Sequence, residues 1–365
     1  MVSAKQWVLK NTPVPGQPFN FNFEDPEASF ELKEVNLSAD DLKEGGILVE
    51  THYISNDPAQ KFWIASVDKN YSKGVEPGEN IPARGLGKIL ASKNKDYQVG
   101  DYVVGKFCWT TAVIVDDPVE AIVHKVSKDD VGELWWHLSV LGSTALTAYF
   151  IFYKYAGLQE KEEYCGKTFV ISGAAGAVGS VCTQLALNVF KAAKVIAIAG
   201  GPEKVKYVES FGANVVGVDY KSDTFKDDLK HAAGGINTVD YFIDNVGGEI
   251  LDLGVTLLKV HGTVIACGSI SGYNDPQKFV FKNYSAVITK RLTLRGLLVT
   301  DDLAEFPKAF AKLAQLIKAG DLDPSNSATL VDAIGEKFEY IPVIWSGLFQ
   351  GINKGKLISV VKKED

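Results

Sequence analysis

Gly173, Gly176 and Gly179 stand three apart in FVISGAAGAVGS (169–180), between an apolar β-rich run and the small-residue helical pattern SVCTQLALNVF. Glycines so placed suit phosphate binding: they allow a tight turn, close backbone approach to a pyrophosphate and close packing of helix on strand, although the spacing departs from G-x-G-x-x-G. The N–H groups opening the helix then face an anion. A second chemical group is the phenol of Tyr273, just past an apolar run that reads as a strand, where open α/β sheets place their ligands.

The elements that must hold these groups come at regular intervals. After the glycine turn, KVIAIAG (194–200), FGANVVGVDY (211–220), VDYFIDNVGG (239–248) and HGTVIACGSIS (261–271) read as buried strands separated by helical patterns, and LTLRGLLVT (292–300) as a sixth. Strands alternating with helices predict an α/β doubly wound parallel sheet. LGSTALTAYFIFYKYAG leads in as a helix, and EFPKAFAKLAQLIKAG is an amphipathic helix closed by glycine. Between the fifth and sixth strands, GYNDPQKFVFKNYSAVITK is rich in turn residues and long enough for a mobile flap. The first 137 residues differ: short strand-like runs broken by TPVPGQPF and GVEPGENIPARG predict a mostly antiparallel β unit. The aromatic ELWWHL reads as packing. The closing LISVV is expected to rejoin this unit, giving domains of 1–137 with 327–365, and of 138–326.

Which cofactor the turn takes depends on the tip of the second strand. An NAD site places Asp or Glu there for the ribose 2′-hydroxyl, whereas this tip is Ala199-Gly200-Gly201. Glu203 comes after Pro202 and belongs to the first helical turn, where it complements the dipole. Lys204 beside it is unfavourable against that dipole unless an anion is near, and a 2′-phosphate is such an anion. NADPH is therefore the expected cofactor. His52, His124, His137, His231 and His261 show no paired ligand spacing, and Cys108, Cys165, Cys182 and Cys267 no C-x-x-C, so no metal site is expected.

The totals agree with small-molecule chemistry. The 365 residues carry a net charge of −7 with 46% hydrophobic residues, which argues against a nucleic-acid or anionic-membrane partner. The amino terminus lacks the uninterrupted apolar core of a secretory signal, and no stretch is apolar and long enough to span a bilayer. A cytoplasmic protein is expected.

GAAGAVGS, PEKVKYVESFGA, DYFIDNVGGE, CGSISGYN and GINKGKLI together resemble the zinc-independent medium-chain dehydrogenases/reductases of the leukotriene B4 dehydrogenase, prostaglandin reductase and alkenal double-bond reductase group. The likeness runs from about Leu141 onward; upstream it rests on YISNDP and on the WTT of FCWTT, and Ala59-Gln60 replace the Tyr-Met-Arg that commonly follows that Asp-Pro. It implies a Rossmann nucleotide domain plus a discontinuous GroES-like β domain, and a possible homodimer. It implies that Gly176, Ala177, Val178 and Gly179 lie against the pyrophosphate, and that Lys204 and Tyr220 bind the 2′-phosphate. Asn245, the run Cys267, Gly268, Ser269, Ile270, Ser271 to Tyr273, the residues Leu297, Leu298 and Val299, and Asn353 would line the ribose and nicotinamide. Tyr273 is the expected catalytic group, with Tyr53 as its partner. The implied reaction is NADPH-dependent reduction of the carbon–carbon double bond of enals or enones. Trp63, Trp109, Phe279 and Tyr284 are the aromatic residues expected to favour a lipid-derived or aromatic substrate. A quinone reductase, or an NADPH-binding sensor or scaffold without turnover, are the alternatives.

Overall fold

The computed structural model describes residues 1–13, 18–64 and 73–364, with the side chains of residues 130 and 131 excepted. It divides into two compact units, Met1–Leu138 with Thr329–Asp365, and Ser139–Ala328.

In the first unit, β1 (Val2–Leu9) and β2 (Phe30–Leu37) form an antiparallel pair. The larger sheet is built on β3 (Ile47–Asn56), β4 (Pro82–Ser92), β5 (Tyr102–Cys108), β6 (Ala112–Val115) and β7 (His124–Val126). Gly87 lies where β4 passes β3; a Cβ there would sit 2.2 Å from the Glu50 carbonyl oxygen, so only glycine allows this close pairing. The core beneath is aromatic: Trp109 is fully buried against Phe30 and Trp345, at ring separations of 5.5 and 5.6 Å. Trp109 is therefore a core residue and not the substrate-facing aromatic expected from sequence. Trp136 of the WWHL turn covers Gly132.

The second unit is one parallel sheet of β8 (Thr168–Ile171), β9 (Lys194–Ala199), β10 (Val215–Asp219), β11 (Val239–Asp244), β12 (Leu258–Ala266) and β13 (Thr293–Gly296). Their order across the sheet is β10-β9-β8-β11-β12-β13, every neighbour parallel. That is the doubly wound order, with the chain reversing direction between β8 and β11. The central strands read as continuous apolar runs because helices cover both faces. One face packs Phe225, Leu229, Phe242, Ile250 and Val255; on another side Phe152 stacks on Phe190 and tilts against Phe169 at 5.1 and 5.6 Å. The helix Phe306–Ala319 buries Phe306, Ala309, Leu313 and Leu316, and Gly320 ends it in the left-handed conformation, as its periodicity predicts.

The last strands, β14 (Ala328–Asp332) and β15 (Lys356–Val360), return to the first unit, where β15 pairs antiparallel with β3. The β domain is thus discontinuous. Within the segment read as a flap, the Asn283 backbone N–H donates to the Asp252 carboxylate at 2.6 Å, and its side-chain amide donates to the same residue.

Candidate functional site

At the reversal point β8 runs into Gly173, at φ +60°, and the helix Ala177–Gln184 begins after Gly176 with no side chain capping it. Its first-turn N–H groups have no partner within the helix. A Cβ on Gly179 would lie 2.3 Å from the Gly173 carbonyl oxygen and 2.7 Å from the Ala174 Cα. Only glycine permits helix and strand to approach this closely, which sets the first-turn amides of Ala177 and Val178 at the sheet edge, both half-buried.

The neighbouring wall is built by a residue that sequence reading missed. Asp244, the last residue of β11, is 1% exposed, and its carboxylate accepts from Ser172 Oγ at 2.7 Å and from the backbone N–H groups of Val246 and Gly247 at 3.1 and 3.0 Å. Burial raises its pKa, and those donors pull it back only in part. Its carbonyl accepts the N–H of Cys267 and of Gly268, at 2.8 and 3.2 Å. Asn245 donates its side-chain amide to the Ser172 carbonyl and its backbone N–H to Ser172 Oγ, at 2.7 and 2.8 Å. Ser271 bonds the Val246 carbonyl through both N–H and Oγ, at 3.1 and 2.6 Å. The ends of β8, β11 and β12 are therefore one hydrogen-bonded rim. The only sequence signal was an aspartate closing an apolar strand ahead of Asn-Val-Gly-Gly.

Tyr273 closes the turn Ile270–Gly272 on this rim, half-buried. A Cβ on Gly268 would lie 3.6 Å from the Tyr273 hydroxyl, so the phenol reaches back over the end of β12. Ser269 lies against Gly247. The Cys267 thiol is pushed up to about 12 by burial and then by the Asp244 charge, which leaves it protonated and unreactive. Leu297 joins the rim through its N–H, 3.3 Å from the Ala266 carbonyl, with Leu298 and Val299 next in the chain.

At the tip of β9, Gly201 at φ +88° caps the helix Pro202–Glu209, and Lys204 stands half-buried in its first turn. The ring of Tyr220 covers Gly200, where a Cβ would be 2.6 Å from it. Asp219, at the end of β10, is a carboxylate near this tip after all. Its Oδ1 accepts the N–H of Gly201 and of Lys221, at 2.8 and 2.9 Å, and so holds the turn.

Two expected site residues belong to the first unit. Tyr53 on β3 is 7% exposed and donates its hydroxyl to Glu364 at 2.8 Å, and Glu364 also pairs with Lys128. Burial, then that hydrogen bond, push its phenol pKa well above the usual range. Its hydroxyl proton is turned onto a carboxylate within its own unit. Asn353 is 8% exposed and donates its amide to the Gly355 carbonyl at 2.6 Å. Of the remaining aromatics, Trp63 lies on the short helix Gln60–Ile64, half-buried, while Phe279 and Tyr284 are exposed; Phe279 lies over Gly272. Among the described residues no group of three or more His, Cys, Asp or Glu is placed to hold a metal ion.

The model for the N-terminal domain of oxidoreductases matches residues 5–123, and one described as zinc-binding dehydrogenase matches residues 177–318. The chain is 63% identical to an uncharacterized membrane protein of Saccharomyces cerevisiae, covering 100% of both chains. It is 31% identical to the NADP(+)-dependent 2-alkenal reductase of Nicotiana tabacum, covering 100% of this chain and 99% of that one. Prostaglandin reductase 1 of Bos taurus is 32% identical, with 98% and 99% covered. The structure of CurA from Vibrio vulnificus in complex with NADPH superposes with a TM-score of 0.80 at 24% identity, covering 99% of this chain and 100% of that one. The order of the strands, the glycine turn and the full-length likeness to two named reductases converge: the chain belongs to the zinc-independent medium-chain dehydrogenase/reductase family, in its alkenal and prostaglandin reductase group.

Proposed function

We propose that this protein is an NADPH-dependent reductase of the conjugated carbon–carbon double bond of α,β-unsaturated aldehydes and ketones. The observation that carries this reading is the Tyr273 hydroxyl held over Gly268 at the carboxyl edge of the sheet, on the same rim as the glycine turn. The names of the tobacco and cattle relatives support the substrate class.

The residues present suit the cofactor. The amides opening the helix at Ala177 face the pyrophosphate, in a turn where a Cβ on Gly179 has no room. Lys204 and Tyr220 take the 2′-phosphate, while Asp219 is turned onto two backbone amides. When bound, NADPH supplies the hydride that adds to the β-carbon of the substrate. Tyr273 donates a hydrogen bond to the carbonyl oxygen, which gains negative charge as the enolate forms, and so stabilises the transition state more than the ground state. A proton from solvent then completes the α-carbon. Asn245, the Cys267–Tyr273 run and Leu297–Val299 line the ribose and nicotinamide.

Two further parts belong to this reading. Strand β13 ends the sheet with all four residues exposed, an unpaired edge of the kind a second copy covers, so we place a homodimer there. No helix among the described residues is long and apolar enough to cross a membrane, and we place the protein in the cytoplasm; a chain that stays with membranes after alkaline carbonate washing would overturn this, as the yeast relative's description invites testing.

The deciding experiment is NADPH oxidation by the purified protein with a long-chain 2-enal and, separately, a quinone. Enal reduction that collapses in Tyr273→Phe is the expected outcome. Faster quinone turnover indifferent to Tyr273, or tight NADPH binding with no turnover on either, would refute it.

A further inference from the structure

The helix that enters the second unit is regular over Ser143–Phe150 and widens into a π-turn at Ile151–Tyr155. A π-turn admits one extra residue and rotates the residues beyond it by about 100° about the axis; such turns concentrate at functional sites. Here the two residues at its end reach the same distant segment. Tyr155 accepts from Arg295 at its carbonyl, 3.1 Å, and carries the Arg295 guanidinium over its ring at 5.2 Å. Lys154 Nζ pairs with Asp302 at 2.5 Å and Glu305 at 2.6 Å.

Arg295 lies on β13 and Asp302 at a kink in the short helical run Val299–Glu305. Between them stand Leu297, Leu298 and Val299, the segment that joins the rim through the Leu297 N–H. The π-turn therefore grips the segment on both sides. Within one copy of the chain Leu298 is 42% exposed and β13 is exposed throughout, so packing by its own unit does little to fix this stretch. Asp302, by contrast, is 3% exposed, and no surface requirement explains burying a carboxylate there.

We infer that Lys154 and Asp302 are positioning residues: their ion pair, with Arg295 on Tyr155, clamps Leu297–Val299 against the nicotinamide end of the cofactor. This rests on the NADPH reading above. Only the carboxylate of this pair is buried, the Lys154 side chain being 41% exposed, so the pair is weak evidence for stability; what it constrains is where the Asp302 end of the segment can sit. The residues of the clamp all belong to the second unit.

The test compares Lys154→Met, Asp302→Asn, the double variant and Lys154→Arg with the parent protein. Each is measured for the NADPH dissociation constant by fluorescence titration, for KM and kcat, and for Tm. Lys154→Met leaves the buried Asp302 carboxylate without its cation and lowers Tm, Asp302→Asn leaves Lys154 paired with Glu305 and lowers Tm less, and the double variant restores Tm. For the clamp, the dissociation constant and KM for NADPH rise about tenfold in both single variants and stay raised in the double, while Lys154→Arg remains near the parent. A double variant whose NADPH affinity recovers together with Tm would show an ordinary structural pair, and single variants with unchanged affinity would likewise overturn the clamp alone. A parent protein that fails to bind NADPH would overturn the cofactor reading, and the clamp with it.

Discussion

The change Gly179→Ala tests the glycine turn at its tightest point. The added Cβ would sit 2.3 Å from the Gly173 carbonyl oxygen and 2.7 Å from the Ala174 Cα, both backbone atoms. Restoring an ordinary contact of about 3.4 Å requires the helix to lift off the strand by roughly 1 Å, an overpacking that costs about 1–3 kcal/mol. For a unit of this size that lowers Tm by roughly 2–4 °C per kcal/mol. The same 1 Å stretches an amide-to-phosphate hydrogen bond from about 2.9 Å to nearly 4 Å, beyond bonding distance. A bond to a charged group contributes about 1.5–3 kcal/mol, so losing one weakens NADPH binding by roughly 10- to 150-fold. Gly176→Ala is the comparison. Its φ is −84° and the added Cβ would meet only the Gly173 carbonyl oxygen, at 3.2 Å, so a shift of a few tenths of an ångström suffices and affinity falls less than about fivefold. The assay is thermal denaturation with and without NADPH, together with fluorescence titration. If Gly179→Ala binds NADPH as the parent does, or if the two variants are equally impaired, the turn does not hold the pyrophosphate.

The same geometry carries other expectations. Tyr273→Phe should lower kcat for enal reduction by about 100- to 1000-fold while leaving the NADPH dissociation constant within about twofold; a change confined to KM would contradict the enolate role. Lys204→Ala should weaken NADPH by about 10- to 100-fold and leave NADH unaffected, and equal losses for both would remove the 2′-phosphate from the reading. In the first unit, Lys356 and Asp57 form a buried ion pair, with the lysine also donating to the Asn56 carbonyl at 3.0 Å. Breaking it with Lys356→Met should cost about 3–5 kcal/mol in chemical denaturation, largely recovered by adding Asp57→Asn. His124 is held neutral, its pKa lowered to about 4 chiefly by burial. Because the folded value lies below the unfolded one, the stability this histidine contributes is present above about pH 6.5 and is lost by about 1.4 kcal/mol per pH unit as pH falls toward 4. His124→Gln should flatten that part of the curve.

The parts of this molecule legible in the sequence are those written locally. Glycine spacing and apolar runs located β8 to β12 and the turn, because a buried parallel strand and a tight backbone approach each restrict residue type over a few consecutive positions. The missing carboxylate at Ala199-Gly200-Gly201 was visible for the same reason. Asp244 was not, because its importance lies in accepting donors from segments distant in sequence, and an aspartate at a strand end looks like any turn residue. Asp219 escaped likewise: it reaches the β9 tip only because β10 pairs beside β9. The Tyr53 to Glu364 bond joins residues 311 apart, and no short-range pattern announces it. Trp109 was misjudged since a tryptophan beside Thr110 and Thr111 gives no sign of which side faces the core.

The return of β15 to lie against β3 shapes how the chain is made. Its partners emerge first during translation, yet this sheet cannot complete its pairing until β15 has left the ribosome, whereas the parallel sheet in between is finished earlier and from nearer neighbours. Nascent protein truncated before Lys356 therefore carries a finished nucleotide fold beside an open-edged sheet with Asp57 still awaiting its cation, a species suited to capture by chaperones.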